Sequence, residues 1–335
     1  MVYSGVWTLA EQKHGKIRTV SYELLNRGRE LAEKRDVPLS SVVLGHDIPD
    51  EEIQELVYHG ADQVYTVNHP MLAHFLAEPY QQVLTYLIKR FTPEILIAAA
   101  TTTGRTIMPY VATNGMFAGL TADCTVLDIE DDSGNLLQTR PAIGGNILAT
   151  IKTPVARPQM ATVRPKSMKP ADRNPDRASH IIPVELPSDL KLASRMTLEQ
   201  FVPDASQDVP LEDADIVVSG GRGLKKGDHF ALIRECADVL DAGVGASRDT
   251  VDRGWIEYPH QIGLSGKTIS PKLYIACGIS GSIQHLAGMQ TAETIVAINT
   301  DPDAQIFRVA DFGIVGDLFE VLPLLIDKLK KVLNR

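Results

Sequence analysis

Gln284 and His285 stand just beyond two glycines, Gly278 and Gly281, and the apolar segment Leu273-Tyr274-Ile275-Ala276-Cys277 runs directly before them. Strand, glycine turn and helix, in that order, build an anion-binding turn. The glycines let the backbone pass close to a ligand, and the unpaired N–H groups of a helix start favour phosphate. Taken alone the pattern is weak, because such junctions occur throughout α/β domains and G-x-G-x-x-G is absent. Thr294 to Asn299 supply the next strand, as a βαβ unit requires.

The same half of the chain repeats the device. Gly220-Gly221-Arg222-Gly223 follows an apolar strand at 215–219, and an arginine among three glycines has little to pack against. Gly243 to Arg248 sets the Ser247 hydroxyl and the Arg248 guanidinium in a backbone able to approach a ligand. His260 to Thr268, with Gly263, Leu264 and Ser265, adds a second hydroxyl turn. Four such turns in one half point to a large, extended ligand touched along its length. Asp317 stands at the start of the final helix, where it reads as an N-cap or as a ribose or ligand-amide contact. In the first half, Thr101 to Arg105 follows an apolar strand and reads equally as an anion turn or a capped helix start, so it stays outside the candidate site.

A chain of 335 residues with 44% hydrophobic and 22% charged residues is expected to form two soluble domains. The segment 203–210, with a proline at each end, is the expected linker, giving domains at 1–205 and 206–335. In the first domain strands at 6–10, 41–45, 63–67 and 94–100 alternate with helices at 21–33, from Asp50, and at 80–91. The run 94–100 is apolar throughout, as a central parallel strand covered on both faces must be. Short strands at 123–129, 136–139, 146–152 and 159–163 complete this sheet or its edge. A basic, proline-interrupted stretch from Arg157 to Arg177 reads as a solvated loop or a contact for an acidic partner. The fold class is α/β, with two three-layer doubly wound domains, the C-terminal one Rossmann-like.

Several function classes are excluded. A net charge of −9 argues against nucleic acid. No apolar run approaches the roughly 20 residues of a membrane span. The first residues lack the basic and apolar regions of a signal peptide, so the expected location is cytoplasmic. Cys124, Cys236 and Cys277 lie far apart, which excludes a metal centre held by this chain alone and fits a reducing compartment. No residue presents itself as a catalytic nucleophile or general base, so no catalytic residue is assigned. A nicotinamide-dependent two-domain oxidoreductase, the competing class, lacks its fingerprint turn and the acidic residue about 20 positions on.

Residues 274–289 together with 295–299 closely resemble the signature of the electron-transfer flavoprotein alpha subunit. Residues 218–223, 245–248 and 309–318 resemble the same family in the same order. The resemblance implies a heterodimer with a beta subunit, in which the C-terminal domain of this chain holds FAD and the N-terminal one holds no nucleotide. Carried over by position, the FAD site comprises Arg222, Ser247, Arg248, Gly263, Leu264, Ser265, Ser280, Gly281, Gln284, His285, Asn299 and Asp317. Ser265 is expected to offer its hydroxyl to flavin N5, His285 to bond the pyrimidine end, and Arg248 to lie by the isoalloxazine. Protonated His285 with Arg248 is expected to stabilise the anionic reduced ring. Many relatives have glutamine where this chain has Leu264, leaving only its backbone N–H for a ligand. The implied role is electron transfer between a flavin-dependent dehydrogenase, such as an acyl-CoA dehydrogenase, and a downstream acceptor, or bifurcation with NADH and ferredoxin.

Overall fold

The computed structural model describes residues 2–142, 147–200, 211, 212 and 214–333. The chain divides into two compact units, Met1–Phe201 and Val202–Arg335. The expected linker at 203–210 lies outside the described residues, as do Ile143 to Asn146 of the link before the strand expected at 146–152.

The first unit is built on seven parallel strands. From edge to edge they are His180–Pro183, Gln63–Asn68, Leu39–Gly45, Val6–Ala10, Ile95–Ala99, Gln159–Val163 and Leu120–Cys124. The central strands are buried from end to end because helices cover both faces. Alternate side chains serve the two faces. Val6, Leu39, Val43, Ile95 and Ile97 pack with Leu24, Leu25 and Leu31 of the helix Thr19–Arg35. Trp7, Val42, Leu96 and Ala98 pack with Leu84, Leu87 and Ile88 of the helix Ala77–Phe91.

The structure divides the single strand expected at 123–129. Leu120–Cys124 joins the parallel sheet, whereas Val126–Ile129 begins a separate antiparallel sheet with Leu136–Pro141 and Leu148–Ile151. The break is at Asp123, whose φ of 62° turns the chain where the register with Gln159–Val163 shifts. Its carboxylate is held there by Arg164, Nη2 at 2.6 Å. Other arginines of the basic stretch are likewise paired within this unit: Arg173 to Glu55 at 2.7 Å and Arg157 to Asn135 at 3.1 Å. The stretch is thus strapped to its own domain.

The second unit has five parallel strands in the order Gly243–Ala246, Ile216–Gly220, Leu273–Cys277, Thr294–Asn299, Phe312–Val315. In chain order that is 2-1-3-4-5, a doubly wound sheet whose connections reverse direction between its first and third strands. Helices Phe230–Leu240 and Leu318–Leu333 cover one face through Ile233, Cys236, Leu322 and Ile326. Ile262, Ile279, Met289 and Ile306 cover the other. The leucine stripe expected along the last helix is core at Leu318 and Leu322, while Val332 is exposed.

Helix Thr102–Val111 starts against the end of Ile95–Ala99 so closely that a Cβ on Gly104 would lie 1.8 Å from the Ala99 carbonyl oxygen. Gly104→Ala should therefore force helix and strand apart and cost about 3 kcal/mol. A shifted denaturation midpoint with an unchanged m-value would show it; an unshifted midpoint would contradict the close contact.

Candidate functional site

At the carboxyl ends of the second unit's strands lies a cleft of about 770 Å³. It opens where the chain leaves Ile216–Gly220 and Leu273–Cys277 on opposite sides of the sheet, the place where doubly wound folds bind ligands. The two turns there touch backbone to backbone. Gly223 N–H donates to the Gly278 carbonyl at 3.0 Å, and a Cβ on Gly278 would come within 2.7 Å of Gly223 Cα. Gly278 also has φ +62°, so both its conformation and its space exclude other residues.

All the sequence-derived site residues except Asp317 line this one cleft. Arg222 comes from the first turn, is exposed, and takes part in no salt bridge among the described residues. Ser247 precedes the short helix Arg248–Asp252, and its N–H ties to the Gly220 carbonyl at 3.0 Å. Arg248 reaches back to Asp252 at 3.1 Å but stays largely exposed. Gly263, Leu264 and Ser265 form the rim opposite, and Ser280, Gly281 and Gln284 follow the third strand. Among the described residues, the N–H groups of Ser280, Gly281 and Ser282 have no intramolecular acceptor. Asn299 braces two turns, donating to the Ile279 carbonyl at 2.9 Å and accepting from Asp301 N–H at 3.0 Å.

Three expectations change. The Leu264 N–H donates to the Gln284 carbonyl at 2.9 Å, so it is spent inside the protein, and what Leu264 presents to the cleft is an apolar side chain, 70% exposed. Asp317 lies off the cleft and caps the final helix, accepting from Phe319 N–H at 3.0 Å with Lys225 3.6 Å away. His285 is the largest departure. It is 4% exposed, its Nδ1 lies 3.1 Å from the Ile262 carbonyl oxygen and its Nε2 lies 2.9 Å from the buried Tyr274 hydroxyl. A carbonyl only accepts, so Nδ1 carries the proton and Nε2 accepts from Tyr274. Burial lowers the pKa from 6.5 to about 4, with the bond to Ile262 pulling the other way. Burial and the Tyr274 bond to Nε2 favour the neutral ring over the expected imidazolium.

Asp249 and Asp301 also line the cleft and were not anticipated. Their only sequence signal is position: each follows closely on the carboxyl end of a strand, Gly243–Ala246 and Thr294–Asn299. In the first unit the turn at Thr101 is a capped helix start. Thr101 accepts from Gly104 N–H at 3.2 Å and donates to Glu11, and Arg105 lies 3.6 Å from Asp123.

Comparison with known proteins assigns both units to one family. Residues 6–189 match the electron transfer flavoprotein domain and residues 210–290 match the electron transfer flavoprotein FAD-binding domain. This chain belongs to the electron transfer flavoprotein alpha subunit family. The electron transfer flavoprotein subunit alpha of Thermoanaerobacterium thermosaccharolyticum is 50% identical over 98% of this chain and 99% of its own length. That of Megasphaera elsdenii is 45% identical over 98% and 97%. Protein FixB of Clostridium saccharobutylicum is 44% identical over 99% and 98%. Among solved structures, a thiamin diphosphate-dependent enzyme from Mycobacterium smegmatis aligns at TM-score 0.22 and 12% identity, over 97% of this chain and 59% of its own, a likeness too weak to carry any argument. Membership makes the chain a flavoprotein subunit of electron transport. Among the described residues no helix is long and apolar enough to cross a membrane.

The buried histidine has a consequence for stability. Its folded pKa of about 4 lies below the unfolded 6.5, so between those values the unfolded chain takes up a proton that the folded chain refuses. Stability should be fully retained above pH 6.5 and lost as pH falls, by roughly 3 kcal/mol near the lower limit. Denaturant unfolding at neutral and acid pH should show a smaller acid loss in His285→Gln; equal losses would contradict a neutral, buried His285.

Proposed function

We propose that the cleft binds FAD and that the chain works as one half of a heterodimer with an electron-transfer flavoprotein beta subunit. The heterodimer would carry electrons from a flavin-dependent dehydrogenase, such as an acyl-CoA dehydrogenase, to a downstream acceptor. One observation carries the reading: residues from four separate turns of the chain converge on one cleft at the sheet's reversal point. The cleft suits a long ligand that is anionic at one place and aromatic at another. Its volume of about 770 Å³ falls in the upper part of the usual ligand-site range. Among the described residues it offers a guanidinium at Arg222 that forms no salt bridge, N–H groups at Ser280 to Ser282 without an intramolecular acceptor, and apolar surface at Leu264.

Bound FAD supplies the electron chemistry, and the chain holds and tunes it. Arg222, Ser280 and Gly281 suit the pyrophosphate, where charge-assisted donors are strongest. Ser247, Arg248, Gly263, Leu264 and Ser265 suit the isoalloxazine, with the Ser265 hydroxyl toward N5. Gln284 and Asn299 border the path between. His285 packs as a neutral ring at the pyrimidine end, so the permanent positive charge beside the flavin is Arg248. A fixed cation favours the anionic reduced ring and raises its potential. For Asp317 the helix cap is the role with structural support.

The first unit is read as a subunit-interface domain without a nucleotide. Its own reversal point, between Val6–Ala10 and Ile95–Ala99, is filled by the buried Glu11 carboxylate, bonded by Thr101 and by Arg18 at 3.0 Å. A protein carboxylate thus stands where a ligand phosphate would. A cytoplasmic setting accords with three free, buried cysteines. Bifurcation with NADH and ferredoxin belongs to this reading where the beta subunit holds a second FAD, and a carrier role where it holds AMP.

Two variants of the heterodimer test these assignments. Arg222→Ala should weaken FAD retention about tenfold or more, read as flavin lost on dialysis; full retention would remove Arg222 from the phosphate site. Arg248→Ala should lower the flavin potential by about 59 mV per tenfold lost in one-electron preference, and by more than His285→Gln does. A larger effect at His285 would mean that the imidazole is charged when flavin is bound.

A further inference from the structure

Gln261 lies behind the cleft rim and does not line it, yet its side chain is spent on a residue that does. It is 4% exposed, and Nε2 lies 3.0 Å from the Ser265 carbonyl oxygen and 3.1 Å from Ser265 Oγ. A carbonyl oxygen accepts and never donates, so the amide end facing Ser265 must be the NH2 group. One N–H serves the carbonyl and the other serves Oγ. The hydroxyl oxygen is then an acceptor toward Gln261, and its own proton must point elsewhere. Among the described residues no protein group accepts it, and the cleft lies in front of it.

We infer that Gln261 is a positioning residue that fixes the Ser265 hydroxyl as a hydrogen-bond donor toward the cleft. The surroundings hold it to that role. The Gln261 carbonyl accepts from Lys267 N–H at 2.7 Å, and Ile262 N–H donates to the Ala246 carbonyl at 3.0 Å, so the backbone on either side is anchored. Tyr258 Oη donates to the Ser265 carbonyl at 2.8 Å, which pins the far side of the turn. His260, fully buried, holds the strand next door through the Val244 carbonyl at 2.8 Å. Ser265 stands exposed on the rim, so its hydroxyl is oriented by the buried Gln261 amide, and the polarity of the pair is set by a carbonyl that cannot reverse.

The consequence rests on the FAD reading above. A preset donor requires an acceptor opposite it, such as an unprotonated ring nitrogen. An electron added to the ring without a proton makes that nitrogen a better acceptor, so a preset donor favours uptake of the first electron. A serine left to itself could turn its lone pairs to the ring instead, and part of that preference would be lost.

The test uses the heterodimer with its beta subunit, loaded with FAD. The potential for uptake of the first electron is measured at one pH for the unmodified protein, Ser265→Ala, Gln261→Met and the double variant. Each single change should reduce the preference for the first electron about fivefold to tenfold. The double should fall no further than Ser265→Ala alone, because Gln261 acts through that hydroxyl. Additive losses, an effect of Ser265→Ala without one of Gln261→Met, or no effect of either would overturn the inference. Gln261→Glu guards against misfolding of the methionine variant: a carboxylate accepts the Ser265 proton and should give the same loss, and an unchanged potential there would overturn the inference equally. Absence of flavin from the unmodified heterodimer would sink the FAD reading and this inference together, and the flavin count separates that outcome from the others.

Discussion

The second unit depends on one backbone contact, between the turn that leaves Ile216–Gly220 and the turn that leaves Leu273–Cys277. These strands pair in register up to Gly220 and Cys277, and then their chains part to opposite faces. Where they part, Gly223 N–H meets the Gly278 carbonyl and Gly221 N–H meets the Cys277 carbonyl, at 3.0 and 2.9 Å. The contact closes the floor of the cleft without a side chain. It thereby puts Arg222 on one wall and Ser280, Gly281 and Gln284 on the other. Any Cβ at the contact would separate the strands and open the floor, so packing and binding are served by the same few atoms.

The electrostatics of the cleft follow from what is buried and what is not. Arg222 and Arg248 stand in the open, where their charge costs little to keep. His285 is enclosed between Tyr274 and the Ile262 carbonyl, where an imidazolium would lose its hydration and gain one bond at most. The chain thus separates a constant positive charge from a neutral, shape-giving ring. The first unit shows the contrary case. There Glu11 is taken inside and compensated by Arg18 and Thr101, so the equivalent position carries its own anion.

Much of this was legible in the sequence. The continuous apolar run around Ile95–Ala99 and the strand-glycine-helix junctions announced two doubly wound domains, because period and turn chemistry are local properties. Some of the cleft lining, such as Arg222 and Gly281, was legible for the same reason, whereas the full set came from the family resemblance. What failed was non-local. Nothing near Asp123 signals that its φ is positive and that the chain changes sheets there. The state of His285 is decided by Tyr274 and Ile262, whose carbonyl approaches from a different turn. The Leu264 N–H was free on paper, and only the approach of helix Ile283–Met289 shows it to be taken by Gln284. The edge strand His180–Pro183 is short and mostly exposed, so it has no apolar period to read.

The central claim is that the glycine-built cleft of the second unit is a flavin site. The most direct measurement is a visible spectrum with a flavin count on the heterodimer, co-expressed with its beta subunit, beside the same protein carrying Gly278→Ala. At least one FAD per heterodimer is expected, with the loss of one FAD in the variant. A colourless heterodimer after reconstitution, or a variant that keeps every flavin, would contradict it.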